Sequence, residues 1–239
     1  MQYKPIIIFA FLVIISLTNC RRGTESHEQV AQKIINANIS LLDSCEQLLV
    51  VYNEMDNDSL AILVALEKKG KGWHPVFGAV AAGIGKNGFA APGKKVEGDG
   101  KSPTGLFRMG HLFTYEKEVD TRMPFTQATS DDKWIDDPES SYYNRHIRGK
   151  TDAKSYENLL LESDAYKYCM VIEYNTNPVV KGKGSAIFFH LTGEIPGSTA
   201  GCVAVYETDM KRILKWLDPK HHPTILMGNK EVLLAGLNK

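Results

Sequence analysis

Apolar residues in this chain gather into short runs cut by glycine, proline, asparagine and aspartate, which is the rhythm of strands and turns rather than of long helices. The runs at 47–52 and 60–66 flank 53–59, a segment dense in Asn and Asp, and so predict an antiparallel hairpin. Residues 68–72, Lys-Lys-Gly-Lys-Gly, form the next turn, and their charges mark a solvated face. The run at 73–84 is punctuated by Gly78 and Gly83, and 86–100 is a glycine-rich loop. That loop lacks both GxxxxGK[ST] and a following helix, so a phosphate cradle is rejected. Further strands are predicted at 106–113, 168–174, 185–191, 203–206 and 224–227.

Helical spacing appears twice. Met210, Ile213, Leu214 and Leu217 recur with a helix's period until Asp218-Pro219 stops them, and Val30, Ile34, Ile35, Ile39 and Leu42 do so in the polar stretch 21–43. No period runs through 115–166, which reads as a loop-rich insertion. The expected class is mainly β, with one folded domain over 47–228, a tether with a possible short helix over 20–46 and a C-terminal tail over 229–239.

The composition narrows the function. The 239 residues are 43% hydrophobic and 23% charged, ample for one domain. Basic and acidic residues number 28 each, so the zero net charge leaves no electrostatic footprint for nucleic acid. Residues 1–19 begin with Lys4 and carry an uncharged apolar run, the pattern of a secretory signal peptide. The ending Leu17-Thr18-Asn19-Cys20 resembles a bacterial lipobox, which implies a mature chain starting at a lipidated Cys20; a plain signal peptide or an uncleaved anchor is the alternative. Either way the chain is expected outside the cytoplasm, where acyl transfer must reuse the energy of an existing bond. Of the other cysteines, Cys45 and Cys169 are bridged or simply buried, with burial favoured because Cys169 lies in a strand-like run. CxxC spacing is absent, and no metal or organic cofactor is expected.

The chemistry centres on 184–206, GSAIFFHLTGEIPGSTAGCVAVY. His190 falls at a strand end, and Cys202 follows a flexible glycine at the start of the next apolar run. A free thiol has a pKa of about 8.5, and a neighbouring imidazole can take its proton and leave a nucleophile. Taken singly, each residue is more often a core residue. The order of the parts shifts that balance. Phe188-Phe189-His190, a polar loop and Thr199-Ala200-Gly201-Cys202 resemble the L,D-transpeptidase catalytic domain, the YkuD-like family, whose hallmark is a strand-borne histidine followed by Ser/Thr-x-Gly-Cys. Ser102-Pro103-Thr104-Gly105-Leu106-Phe107 resembles its Thr-Pro-Thr-Gly-x-Phe segment.

The resemblance implies a β-sandwich-type domain acting on peptidoglycan stem peptides, with Cys202 as nucleophile and His190 as base. It also implies a Leu191 carbonyl that orients the imidazole, and backbone N–H groups at Gly201 and Cys202 for the oxyanion. This chain departs from the family at Ala200, where many members have a second histidine, and at Ala204, where many have an arginine. A cation from elsewhere is then expected to hold substrate carboxylates, with Arg145 the candidate. Trp134, Tyr143 and Asn144 of the same insertion are expected to form a substrate-binding wall with it, the alternative being aromatics packed onto the sheet and Arg145 in an ordinary salt bridge, and Ser198 and Thr199 are expected to bind substrate as well.

Overall fold

The computed structural model describes residues 25–193 and 197–237. The signal peptide, Cys20 and Pro196 lie outside the described residues. Helix α1 (His27–Ala37) precedes β1 (Gln47–Asn53), β2 (Leu60–Lys69), β3 (Gly72–Pro75), β4 (Val80–Gly83), β5 (Gly105–Thr114) and β6 (Phe125–Gln127). The insertion supplies β7 (Asp132–Ile135), β8 (His146–Arg148) and β9 (Tyr156–Asn158). Next come β10 (Tyr168–Ile172), β11 (Phe188–Leu191), β12 (Val203–Val205), α2 (Glu207–Trp216), β13 (Thr224–Asn229) and α3 (Lys230–Ala235).

The expected hairpin forms, with Leu48 opposite Leu66 and Tyr52 opposite Ile62. Among the described residues the main sheet has ten strands, and the order β1-β13-β5-β10-β11-β12-β4-β2 returns to its start because β2 also pairs with β1. The chain is thus mainly β as expected, and the two layers of the sandwich are opposite sides of one closed sheet.

Closure gives each strand an inside and an outside. Inward residues such as Leu49, Leu63, Met170, Phe189, Val203 and Ile225 form the inner core, and α2 contributes Met210, Ile213 and Leu214 to it, followed by Leu217 at its C-cap. The outside is covered in two places. Phe113, Val171, Phe188 and Cys202 are covered by Trp134, Leu159 and Tyr166 of the insertion and its return to β10. Leu48, Val50, Val64 and Leu226 are covered by α1 and α3.

This second cover corrects two sequence-based expectations. The 20–46 segment was expected to tether the domain; instead its helix docks, burying Val30, Ala31, Ile34 and Ile35 on the sheet. Ser26 begins it with a reciprocal cap, its hydroxyl accepting from the Gln29 N–H while the Gln29 side chain accepts from the Ser26 N–H. Residues 229–239 were expected to be a plain tail. Asn229 instead caps α3, and Asn38 clamps the two helices, donating to the Ile34 and Leu233 carbonyls at 2.8 Å each and accepting from the Leu237 N–H at 2.9 Å.

Candidate active site

Strands β11 and β12 run parallel, with Phe189 beside Val203 and His190 beside Ala204. Phe189 and Val203 point into the inner core, so alternation puts His190, Ala204 and Cys202 on the outer face. The imidazole and the thiol therefore meet one cleft of about 370 Å³, together with Ser198, Thr199, Ala200 and Gly201.

Backbone contacts shape the loop that presents Cys202. Gly201 has φ +157, and a side chain there would bring its Cβ to 2.9 Å from the Lys101 carbonyl oxygen. Gly83 has no space at all, since a Cβ would fall 2.0 Å from the Gly197 carbonyl oxygen. The glycines read from sequence as punctuation thus let three stretches of backbone lie together. Ser102, wholly buried, accepts from the Gly85 N–H at 3.0 Å and donates to the Gly201 carbonyl at 2.8 Å. The upstream Ser-Pro-Thr-Gly turn is in this way fastened to the residue before the cysteine.

Thr199 is a brace for this loop. Its hydroxyl donates to the Cys202 carbonyl at 2.8 Å and accepts from the Gly201 N–H at 3.1 Å. The Gly201 amide, expected as an oxyanion donor, is therefore occupied. The Cys202 N–H has no partner among the described residues. Ser198 is exposed at the cleft mouth.

His190 and Cys202 both rest in neutral forms. His190 Nδ1 lies 2.8 Å from the Leu191 carbonyl, which makes Nδ1 the protonated nitrogen and leaves Nε2 a lone pair. Burial lowers the ring's pKa below its ordinary value, against the opposing pull of the Leu191 and Ala165 carbonyls. The Cys202 thiol donates to the Ala186 carbonyl at 3.3 Å and accepts from the Phe188 N–H at 3.3 Å. Burial pushes this thiol up to about 12, with the Phe188 N–H the largest opposing influence. No hydrogen bond joins it to the imidazole among the described residues. Tyr166 packs edge-on against His190, ring centroids 5.3 Å apart.

The expected binding wall is placed differently. Trp134 and Asn144 are buried, and with the exposed Arg145 they line a second cavity of about 640 Å³ that also touches His111, His146 and Glu173. Arg145 is not among the residues lining the cysteine's cleft. The reason is local: Asn144 has φ +55 and turns the chain, so its two neighbours go to different places. Buried Tyr143 sends its hydroxyl to Glu97, which does line the cleft.

Asn144 itself is a structural hub. Its Oδ1 accepts from the Trp134 indole at 2.9 Å and from the Ala186 N–H at 3.0 Å, so it holds the residue whose carbonyl holds the thiol. Sequence reasoning missed Lys95, Glu97, Asp136, Glu157 and Tyr166, all of which line the cleft. Lys95 is buried and paired with Asp99 at 2.7 Å. Cys45 and Cys169 are buried and unbridged, and burial raises both thiols.

Searches of the curated proteins and of the solved structures return no match. The model of the L,D-transpeptidase catalytic domain, YkuD, matches residues 59–226, a span that holds both the serine turn and the histidine–cysteine pair. With well over half its length matched, this chain belongs to the L,D-transpeptidase catalytic domain family.

Proposed function

We propose that the chain is a cysteine-dependent L,D-transpeptidase of peptidoglycan stem tetrapeptides. The observation that carries this reading is the shared cleft: Cys202 and His190 occupy one face of adjacent parallel strands, and the Leu191 carbonyl at Nδ1 leaves the lone pair of the neutral imidazole on Nε2. Substrate entering the cleft draws the thiol away from the Ala186 carbonyl. As the sulfur bonds to the carbonyl carbon of the third, diamino-acid residue, His190 Nε2 takes the thiol proton. It then returns that proton to the amine of the departing D-alanine as the C–N bond breaks. The Cys202 N–H, without a partner among the described residues, is assigned the developing oxyanion, a role worth about 3 kcal/mol in comparable sites. An amine of a neighbouring stem then attacks the thioester, forming the cross-link and freeing the thiol.

The proposal includes export and a lipid anchor at Cys20, supported by the apolar run that ends Leu17-Thr18-Asn19-Cys20. Metabolic labelling with a fatty acid tests the anchor, and label retained in Cys20→Ala would refute it. The reaction is tested by incubating the protein with disaccharide tetrapeptide and reading the products by mass spectrometry. A dimer lacking one D-alanine is expected. Tripeptide without dimer would make the chain an L,D-carboxypeptidase, and unchanged substrate would overturn the catalytic reading in favour of a cell-wall-binding lipoprotein.

A further inference from the structure

The second cavity holds two opposite charges that nothing in the fold neutralises. It lies between the insertion and the main sheet: the insertion supplies Arg145, and Glu173 follows β10 of the sheet. Its floor is apolar, formed by the buried side chains of Phe113, Trp134 and Val171. At about 640 Å³ it has room for more than one small amino acid.

Most polar groups around that floor are already taken. Asn144 accepts from Trp134 and Ala186. His146 meets Asp132 at 2.8 Å, and the same carboxylate receives Arg148 at 3.0 and 2.9 Å. His111 meets the Thr126 hydroxyl at 2.8 Å, and burial followed by the charge of His146 lowers its pKa, so it adds no second cation at neutral pH. The Arg145 guanidinium is left over, with neither a hydrogen bond nor an ion pair among the described residues. Glu173 is left over as well. The Thr176 hydroxyl donates to its Oε2 at 3.2 Å, but no cation among the described residues meets it, and no ion pair joins it to Arg145.

The Glu173 carboxylate is seated against the sheet. Gly110 stands inside β5 without a positive φ, and a Cβ there would fall 2.6 Å from Oε1 of Glu173. A glycine within a strand gives up packing and chain entropy, and here its bare backbone admits the carboxylate. Opposite charges that face one cavity without closing on each other select its occupant. A simple anion would meet Glu173, a simple cation would meet Arg145, and a neutral sugar would leave both unanswered. A molecule carrying both charges answers both, and the apolar floor takes the body between them.

We propose that the second cavity is a binding site for a short zwitterionic peptide, its free carboxylate on Arg145 and its free ammonium on Glu173. The site stands apart from the cleft of Cys202 and His190, and it does not depend on the reaction proposed for them.

Calorimetry on the full chain tests the site, with trialanine, N-acetyl-trialanine and trialanine amide as probes. Trialanine is expected to bind, and each blocked form to bind about fivefold more weakly, the scale of one exposed ion pair. Arg145→Gln should bind trialanine and its amide equally while still discriminating against the acetylated form. Glu173→Gln should bind trialanine and its acetylated form equally while still discriminating against the amide. Both residues are exposed, so both variants should melt with the parent. No binding of trialanine to the parent, blocked forms that bind as well as trialanine, or discrimination left unchanged by either substitution would overturn the proposal.

Discussion

Replacing Asn144 with alanine removes a side chain that uses its whole hydrogen-bonding capacity. Besides accepting from Trp134 and Ala186, it donates to the Tyr174 carbonyl at 3.1 Å and to the Asn175 carbonyl at 2.7 Å. The carbonyls can turn to water, whereas the buried indole N–H and the half-buried Ala186 amide are left without an acceptor. Their unmade bonds cost about 3 kcal/mol together. Alanine at φ +55 adds about 1 kcal/mol that asparagine partly avoids. A total near 4 kcal/mol lowers the melting temperature by roughly 10 °C in a chain of this size. Asn144→Gly loses the same hydrogen bonds without the backbone strain, so it should melt about 3 °C above Asn144→Ala.

A second readout concerns the thiol. Freed from Asn144, Ala186 holds Sγ less firmly, and Cys202 in folded Asn144→Gly should react with iodoacetamide faster than in the parent. A melt within about 2 °C of the parent for Asn144→Ala, or unchanged Cys202 labelling in Asn144→Gly, would refute the chain of reasoning from insertion to thiol.

The other expectations follow from charge and position. With the thiol held up near 12, the thiolate fraction, and with it alkylation of Cys202, should climb about tenfold per pH unit through neutrality. A plateau reaching into the acid range would reveal a preformed thiolate–imidazolium pair instead. In the proposed reaction neutral His190 is the base, and its pKa is lowered, so the acid limb of peptide turnover should fall away below the ordinary histidine value of 6.5; a limb above that value would contradict the burial argument. Arg145 lies in the second cavity, so Arg145→Ala should turn over the tetrapeptide like the parent, and a large rise in KM would show that substrate spans both cavities.

What the sequence made legible depended on whether one residue's neighbours along the chain decide its fate. Strands such as β1 and β10 are buried on both sides and read as continuous apolar runs, and α2 declares its inward stripe. The closure of the sheet is not local: it needs Gly83 to admit the Gly197 backbone, a contact across more than a hundred residues. Helix α3 has six residues and little period, and it becomes legible only through the Asn38 clamp. At the site, His190 and Cys202 stand at strand ends whose pairing follows from their order. Lys95, Glu97, Asp136 and Glu157 come from a glycine-rich loop and an insertion with no period, and only tertiary contacts gather them. Arg145 went astray because the turn at Asn144 separates it from Tyr143, which adjacency in sequence had joined.

The central claim, that Cys202 is a nucleophile served by His190, is tested most directly by intact-protein mass spectrometry after exposure to a carbapenem. One adduct is expected on the parent and on Cys45→Ala and Cys169→Ala, whose buried thiols take no part. No adduct should form on Cys202→Ala, and His190→Ala, folded by its melt, should acylate slower by about 10²- to 10⁴-fold. An adduct that persists in Cys202→Ala, or an unchanged acylation rate in His190→Ala, would contradict the account.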